Sequence, residues 1–380
     1  MKKTVIAIVT LAALTLSVVM ASAQTIKVGA ILAVTGGASF LGLPEERTLR
    51  MLVDEINAQG GIKGKKLELI VRDSGGSPER AVSFARQLIE EQRVFAIIGP
   101  STSGETMRIK QIAEEGKTIM LSLAAAEAIV NPLARYVFKT PQNDRFAAQR
   151  IFMTMNDLGI KRIAVVSGND GFGQAGRGQL EQIAPDYGLE IVANEVYDSR
   201  ATDLSALVAK LRSHNQIEAV INWSVVPAQA ILVRNMRQAG WEVPLFQSHG
   251  FGNIRYVEVA GAAAEGIIFP AGRLLIADVL EESHPQKEIL VKYQNDYESK
   301  FNEPASTFGG HAYDALMILA RAIEEVGADR EKVRDAIENM RDFVGTGGIF
   351  NFSPTDHNGL DLNAFEMLTV KDGQFVKYDR

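Results

Sequence analysis

VFAIIGPSTSGETMRIKQIAEEGKTIMLSLAAA, residues Val94 to Ala126, decides the fold. The apolar run Val94 to Ile98 is too short for an independent helix and is rich in β-branched residues, so it reads as a buried strand. Gly99-Pro100 stops that strand. Ser101, Thr102 and Ser103 follow, and any of them can cap a helix that continues through Thr106 to Glu115. Gly116 closes the helix, and Thr118 to Leu123 form a second strand ending in Ala124-Ala125-Ala126. The stretch is a βαβ unit with a hydroxyl-rich turn at the carboxyl end of its first strand, the edge where open parallel sheets bind ligands. Unpaired N–H groups and the positive dipole end at a helix N-terminus favour an anion such as a carboxylate. The same three hydroxyls also suit a plain helix cap, so both readings stand on this stretch alone.

The chain has 380 residues, enough for two domains. With 46% hydrophobic and 23% charged residues it has the composition of a globular protein. Its formal charge is −6, its sequence pI is near 5.6, and it has no basic block, which argues against a nucleic-acid partner. Met1-Lys2-Lys3, the apolar run Val5 to Met20 and Ala21-Ser22-Ala23 together have the form of a cleaved secretory leader, residues 1–23. Cysteine is absent, which rules out a lipidated cysteine and a disulfide. An exported, unanchored protein of a bacterial periplasm is expected.

Upstream of the quoted stretch, Ile26 to Leu32 reads as a strand followed by the turn Val34 to Ser39. A helix is expected over Glu45 to Asn57, a strand over Leu67 to Arg72 and a helix over Glu79 to Glu91. Downstream, after a strand over Tyr136 to Lys139, Thr140-Pro141-Gln142-Asn143 reads as a crossing between lobes. Strands at 162–167, 189–197, 218–223, 243–247 and 266–270 then alternate with helices. Three further helices near 286–300, 306–326 and 330–340 precede strands over 345–352 and 365–378. The fold class expected is α/β, with two doubly wound parallel-sheet lobes.

Gly171-Phe172-Gly173-Gln174-Ala175-Gly176 fits G-x-G-x-x-G and has an acid, Glu195, about 20 residues on. Gly168-Asn169-Asp170 separates it from its strand, however, and an exported protein has little access to soluble nicotinamide cofactors. It reads as a glycine-rich loop at a lobe edge. The five histidines show no metal-binding spacing, and no G-x-S-x-G elbow or Walker motif is present. No metal, no cofactor and no catalysis are expected. Ser103 with His249 would make a nucleophile and base, but no third group stands behind His249 in the sequence.

IKVGAILAVTGG, VDEINAQGGIKGKKLELIVRDSGGSPERAV, IIGPSTS, NDGFGQAG, DLSALVAKL, NIRYVEVAGAAAEGI and the late run His311 to Ala315 together resemble the periplasmic leucine/isoleucine/valine-binding protein family. These are the receptors of branched-chain-amino-acid-type ABC transporters, and the likeness spans the whole mature chain. It implies a type I periplasmic binding fold, in which two lobes joined by three crossings clamp a ligand in the cleft between them. Crossings are implied near 140–144, 270–275 and 350–354. Lobe 1 would be 24–143 plus 273–351, and lobe 2 would be 144–272 plus 352–380. An ABC permease in the inner membrane is the implied partner, and a monomer is expected.

Transferred residue by residue, the family's carboxylate-binding serine falls on Ser103, and the small residue whose backbone touches the ligand falls on Ala124. The threonine that helps hold the amino acid's polar head falls on Ala126, and the acid that pairs with the ammonium falls on His249. Cleft tyrosines fall on Leu41, Phe172 and Val225, and Trp223 and Phe40 add aromatic surface. Phe251 is a further candidate for the apolar wall. An ammonium buried without a carboxylate is costly, so these replacements point to a small aromatic or aliphatic carboxylate without an amine. His249 also suits a turn-capping role, and Arg145 a solvated helix start. A branched-chain or other neutral amino acid is the alternative ligand. A ligand-sensing regulatory subunit without transport is the alternative of another class.

Overall fold

The computed structural model describes residues 25–379; the expected leader, residues 1–23, lies outside them. β1 (Ile26–Leu32), α1 (Ser39–Ala58), β2 (Leu67–Asp73), α2 (Pro78–Arg86), β3 (Ala96–Ile98), α3 (Ser103–Glu115), β4 (Ile119–Ser122) and β5 (Val137–Lys139) follow in order. Their strands form one parallel sheet, β2-β1-β3-β4-β5. Side chains alternate along a strand. Val28, Ala30 and Leu32 therefore share a core with Leu49 and Leu52 of α1, while Ile31 packs with Ala81, Ala85 and Ile109 on the other face. A sheet covered on both faces needs strands that are apolar throughout, which is why the run ending at Ile98 does not alternate.

The second lobe repeats the pattern. α4 (Asp144–Asp157), β6 (Arg162–Gly168), α5 (Gly171–Ile183), β7 (Glu190–Tyr197), α6 (Ser205–Arg212) and β8 (Ala219–Trp223) come first. α7 (Ala228–Gln238), β9 (Leu245–Gln247), α8 (Ile254–Ala260) and β10 (Ile268–Ala271) complete it. The chain then continues through α9 (Lys287–Phe301), α10 (Thr307–Val326), α11 (Arg330–Glu338) and the hairpin β11 (Phe343–Val344) and β12 (Ile349–Phe350). Ala312, Ala315 and Leu319 of α10 join the first lobe's core. Of the last strands, β13 (Glu366–Lys371) pairs antiparallel with β10 and β14 (Gln374–Lys377) antiparallel with β13, giving the order β14-β13-β10-β9-β8-β6-β7. The two doubly wound α/β sheets are those the sequence leads one to expect.

The last passage between lobes falls later than 350–354. Phe352, Leu360 and Ala364 still pack in the first core, whereas Phe365 packs in the second. The reason is a contact between distant parts of the chain: Asn358 Nδ2 donates to the carbonyls of Pro141 (2.9 Å) and Lys139 (3.3 Å), which ties the 353–359 turn to the first crossing. Other hydrogen bonds anchor the 345–347 turn to the first crossing and to α10. Gln142 Nε2 donates to Gly347 O at 2.8 Å, and the buried Asp314 carboxylate accepts from the N–H groups of Thr346 and Gly347.

Candidate functional site

In each sheet the strand order reverses about one strand pair, β1/β3 in the first and β6/β8 in the second. Loops at the carboxyl ends of such strands diverge and leave a crevice. Here the two crevices face each other. They enclose a cavity of about 30 Å³ lined by Leu41, the Ser101–Ser103 turn, the Leu123–Ala125 segment, Phe172, Val225, His249, Gly250, Phe308 and His311, with Pro141 at the first crossing. That is room for about two water molecules, so a larger ligand enters only when the lobes part. The lobes touch closely beside it, where a Cβ on Gly171 would lie 2.6 Å from Gly104 Cα.

The three hydroxyls after β3 divide their work. Ser101 Oγ accepts from Ala33 N–H at 2.9 Å and hydrogen-bonds the buried Glu45 carboxyl. Burial pushes Glu45 up to about 8, with Glu105 adding to the rise, so it carries its proton at neutral pH. Thr102 is the N-cap of α3, accepting from Glu105 N–H at 3.3 Å. Ser103 opens the helix, and its Oγ accepts only a long bond from Ala126 N–H, 3.4 Å. The capping role therefore belongs to Thr102 and not to Ser103, whose hydroxyl faces the cavity. Across the cavity, α5 begins at Gly171 with Asp170 capping the N–H groups of Phe172 and Gly173 at 3.0 Å. The starts of α3, α5 and α10 all border the cavity, and helix starts favour negative charge.

His249 stands among the rings of Phe172, Trp223 and Phe365, with centroids 5.4 to 5.7 Å away. Both its ring nitrogens lack a partner, as does His311 Nδ1. Burial, with Lys139 nearby, drives both imidazoles down, His311 to about 3, so both are neutral at pH 7. Neither ring has a carboxylate behind it, so Ser103 and His249 share a cavity without forming a catalytic triad.

Of the residues singled out in the sequence, Leu41, Ser103, Ala124, Phe172, Val225 and His249 line the cavity. Trp223 lies one layer back, fully buried against Phe172 and His249 with its Nε1 unpartnered. Ala126 contributes its N–H rather than a wall. Phe40 is not in the lining. It bridges the lobes at the rim, where Asn253 Nδ2 donates to its carbonyl at 2.9 Å and the Arg255 guanidinium lies 5.1 Å from its ring. Phe251 packs with Tyr256, Phe269 and Phe375 in the second core. Arg145 reaches Gln179 and Gln182. In the glycine motif, a Cβ on Gly173 would meet Gly168 O at 2.1 Å and one on Gly176 would meet the Trp223 indole at 2.0 Å. Close packing thus explains those glycines, and Glu195 pairs with Lys210 at 2.7 Å. Phe308 and His311 were not singled out in the sequence. Their spacing of three residues at the start of α10 places both on one face, and that periodicity is the signal that could have found them.

A family model described as periplasmic binding protein matches residues 25–374. The leucine-, isoleucine-, valine-, threonine- and alanine-binding protein of Pseudomonas aeruginosa is 26% identical over 355 residues, covering 91% of this chain and 90% of that protein. An extracellular ligand-binding receptor from Rhodopseudomonas palustris HaA2 superposes with a TM-score of 0.87 at 27% identity, covering 94% of this chain and 100% of that one. The branched-chain amino acid transporter substrate binding protein LivJ from Streptococcus pneumoniae, solved in complex with isoleucine, gives 0.81 at 26% identity, covering 93% and 100%.

Proposed function

Because this chain belongs to the periplasmic binding protein family, we propose that it is the solute receptor of a branched-chain-amino-acid-type ABC importer and that its ligand is a small hydrophobic carboxylate without an ammonium group. The observation that carries the ligand class is the cavity lining, which contains hydroxyls, imidazoles and apolar side chains but no Asp or Glu. At the position where the resemblance calls for an acid stands His249, buried and neutral. With the lobes parted enough to admit it, a carboxylate would lie against Ser103 Oγ and the Ala126 N–H, with its apolar body against Leu41, Phe172 and Val225. The protein acts in the periplasm. Ligand bridging the lobes shifts the open–closed population toward the closed form, which docks on the membrane permease.

The names of its relatives favour a second reading, a branched-chain or other neutral amino acid. That reading needs an acceptor for the ammonium. Glu45, one helical turn from the lining Leu41, is a buried acid whose Oε1 is unpartnered. Its hydrogen bond to Ser101 and its retained proton argue against that role.

Ser103→Ala tests the carboxylate point. Removing a hydroxyl that meets a charged group costs about 1.5–3 kcal/mol, so calorimetry on the folded variant should show benzoate-type ligands weakened accordingly. Unchanged affinity would put the anion elsewhere.

A further inference from the structure

The peptide joining Ala125 to Ala126 is held on both sides. Its carbonyl accepts a hydrogen bond from Lys139 Nζ at 2.6 Å and a longer one from Asp144 N–H at 3.3 Å. Its N–H, on Ala126, points at Ser103 Oγ, 3.4 Å away. Lys139 is completely buried at the end of β5. The titratable groups around it come from several elements: Asp144 on α4, Glu127 after β4 and Asp356 before β13, with the neutral His249 and His311 from opposite walls of the cavity. Asp144 is itself fixed, its Oδ1 accepting from Glu127 N–H at 3.0 Å, while its Oδ2 has no hydrogen-bond partner.

A charged donor on a carbonyl makes a strong hydrogen bond and polarises the peptide, so the N–H on the far side becomes a better donor. The acceptor that N–H now has, at 3.4 Å, is beyond the usual N–H···O range. A carboxylate oxygen beside Ser103 is a better one.

We propose that Lys139 is a positioning residue that sets the site's preference for an anionic head group: through the Ala125 carbonyl it aims and polarises the Ala126 N–H toward the point beside Ser103 where a carboxylate binds. The inference rests on the reading that this site takes a carboxylate, but not on the absence of an amine. Lys139 touches no ligand atom. A purely structural role would affect every ligand alike, whereas this role distinguishes a carboxylate from the uncharged amide of the same shape.

The test compares benzoate with benzamide and leucine with leucinamide by calorimetry on the mature chain, in wild type, Lys139→Met and Lys139→Arg. Lys139→Met should weaken the bound carboxylate about tenfold or more and its amide by less than about threefold, and Lys139→Arg should restore most of the difference. Equal weakening of both members of a pair, or of neither, overturns the proposal. Binding of leucine but not benzoate by wild type defeats the amine-free reading and leaves the leucine pair to judge Lys139. A wild type that prefers neither carboxylate over its amide overturns both.

If Lys139→Met does not fold, the wild type's benzoate-to-benzamide preference is followed from about pH 7 to about pH 9.5. Burial lowers Lys139 to about 8 against the opposing pull of Asp144, Glu127 and Asp356. Asp144, raised to about 6 by its own burial, is ionised over most of this range, and both histidines stay neutral throughout it. The measurement is made in a Glu45→Gln background, because Glu45 also titrates at about 8 beside the lining Ser101; there the preference should fall as Lys139 loses its proton, and a flat profile contradicts the proposal.

Discussion

His249→Glu should weaken an amine-free carboxylate by about a hundredfold or more at pH 8, on the order of 3 kcal/mol. The new carboxyl would stand in the aromatic box of Phe172, Trp223 and Phe365, close to the bound anion and without a counter-ion on the lining. Burial raises a carboxyl's pKa, so the loss should shrink at acidic pH, where the side chain carries its proton and repels no anion. Leucine should bind the variant more tightly than wild type, since its ammonium gains the partner the native cavity lacks. Titrations of benzoate and leucine at acidic and alkaline pH read both effects. Benzoate affinity unchanged at pH 8 would show that His249 does not face the ligand's charged end.

Trp223→Ala should destabilise the protein by about 3–5 kcal/mol, the cost of emptying a large aromatic site in a packed core. Trp223 is fully buried, and Gly176 has no Cβ because the indole occupies that space. With the indole gone, Phe172 and His249 lose the ring that backs them, and ligand affinity should fall as well. Denaturant unfolding gives the stability term. A loss below about 1 kcal/mol would mean that the surrounding side chains collapse into the space. Gly176→Ala in the native background should also destabilise, because the added carbon meets the rigid indole rather than a flexible chain end.

The double-wound fold was readable because it rests on local signals. Short β-branched strands, hydroxyl caps and glycine stops repeat along the chain, and Thr102, Asn143, Asp170, Asn253 and Ser306 each cap a helix as their residue type suggests. Local signals marked the Ser101–Ser103 turn and the glycine-rich loop around Phe172, but the choice of Ser103 and Phe172 within them came from the family resemblance. What was not readable depends on how distant elements meet. Phe40 and Leu41 are neighbours at the start of one helix, yet only Leu41 turns into the cavity; Phe40 is drawn to the rim by Asn253 and Arg255. Phe308 and His311 reach the cavity because α10 returns to pack on the first lobe, a contact between residues far apart in the chain. The late position of the last crossing follows from Asn358 bonding Pro141, more than 200 residues away in sequence. No local pattern encodes such pairings.

The central claim, an anionic ligand without an ammonium group, is tested most directly by thermal denaturation of the mature protein, refolded to remove any carried-over ligand. One panel holds benzoate, phenylacetate, hydroxycinnamates and short fatty acids; the other holds leucine, isoleucine, valine, phenylalanine and polar amino acids. A ligand that binds only the folded state adds about 2.7 kcal/mol of stability at a hundredfold excess over Kd, a shift easily seen in a melting curve. The account predicts dose-dependent shifts with amine-free carboxylates and none with amino acids. A clear shift with leucine or valine, and none with the first panel, would contradict it and point to an ammonium acceptor within the closed cleft, with Glu45 the first residue to substitute.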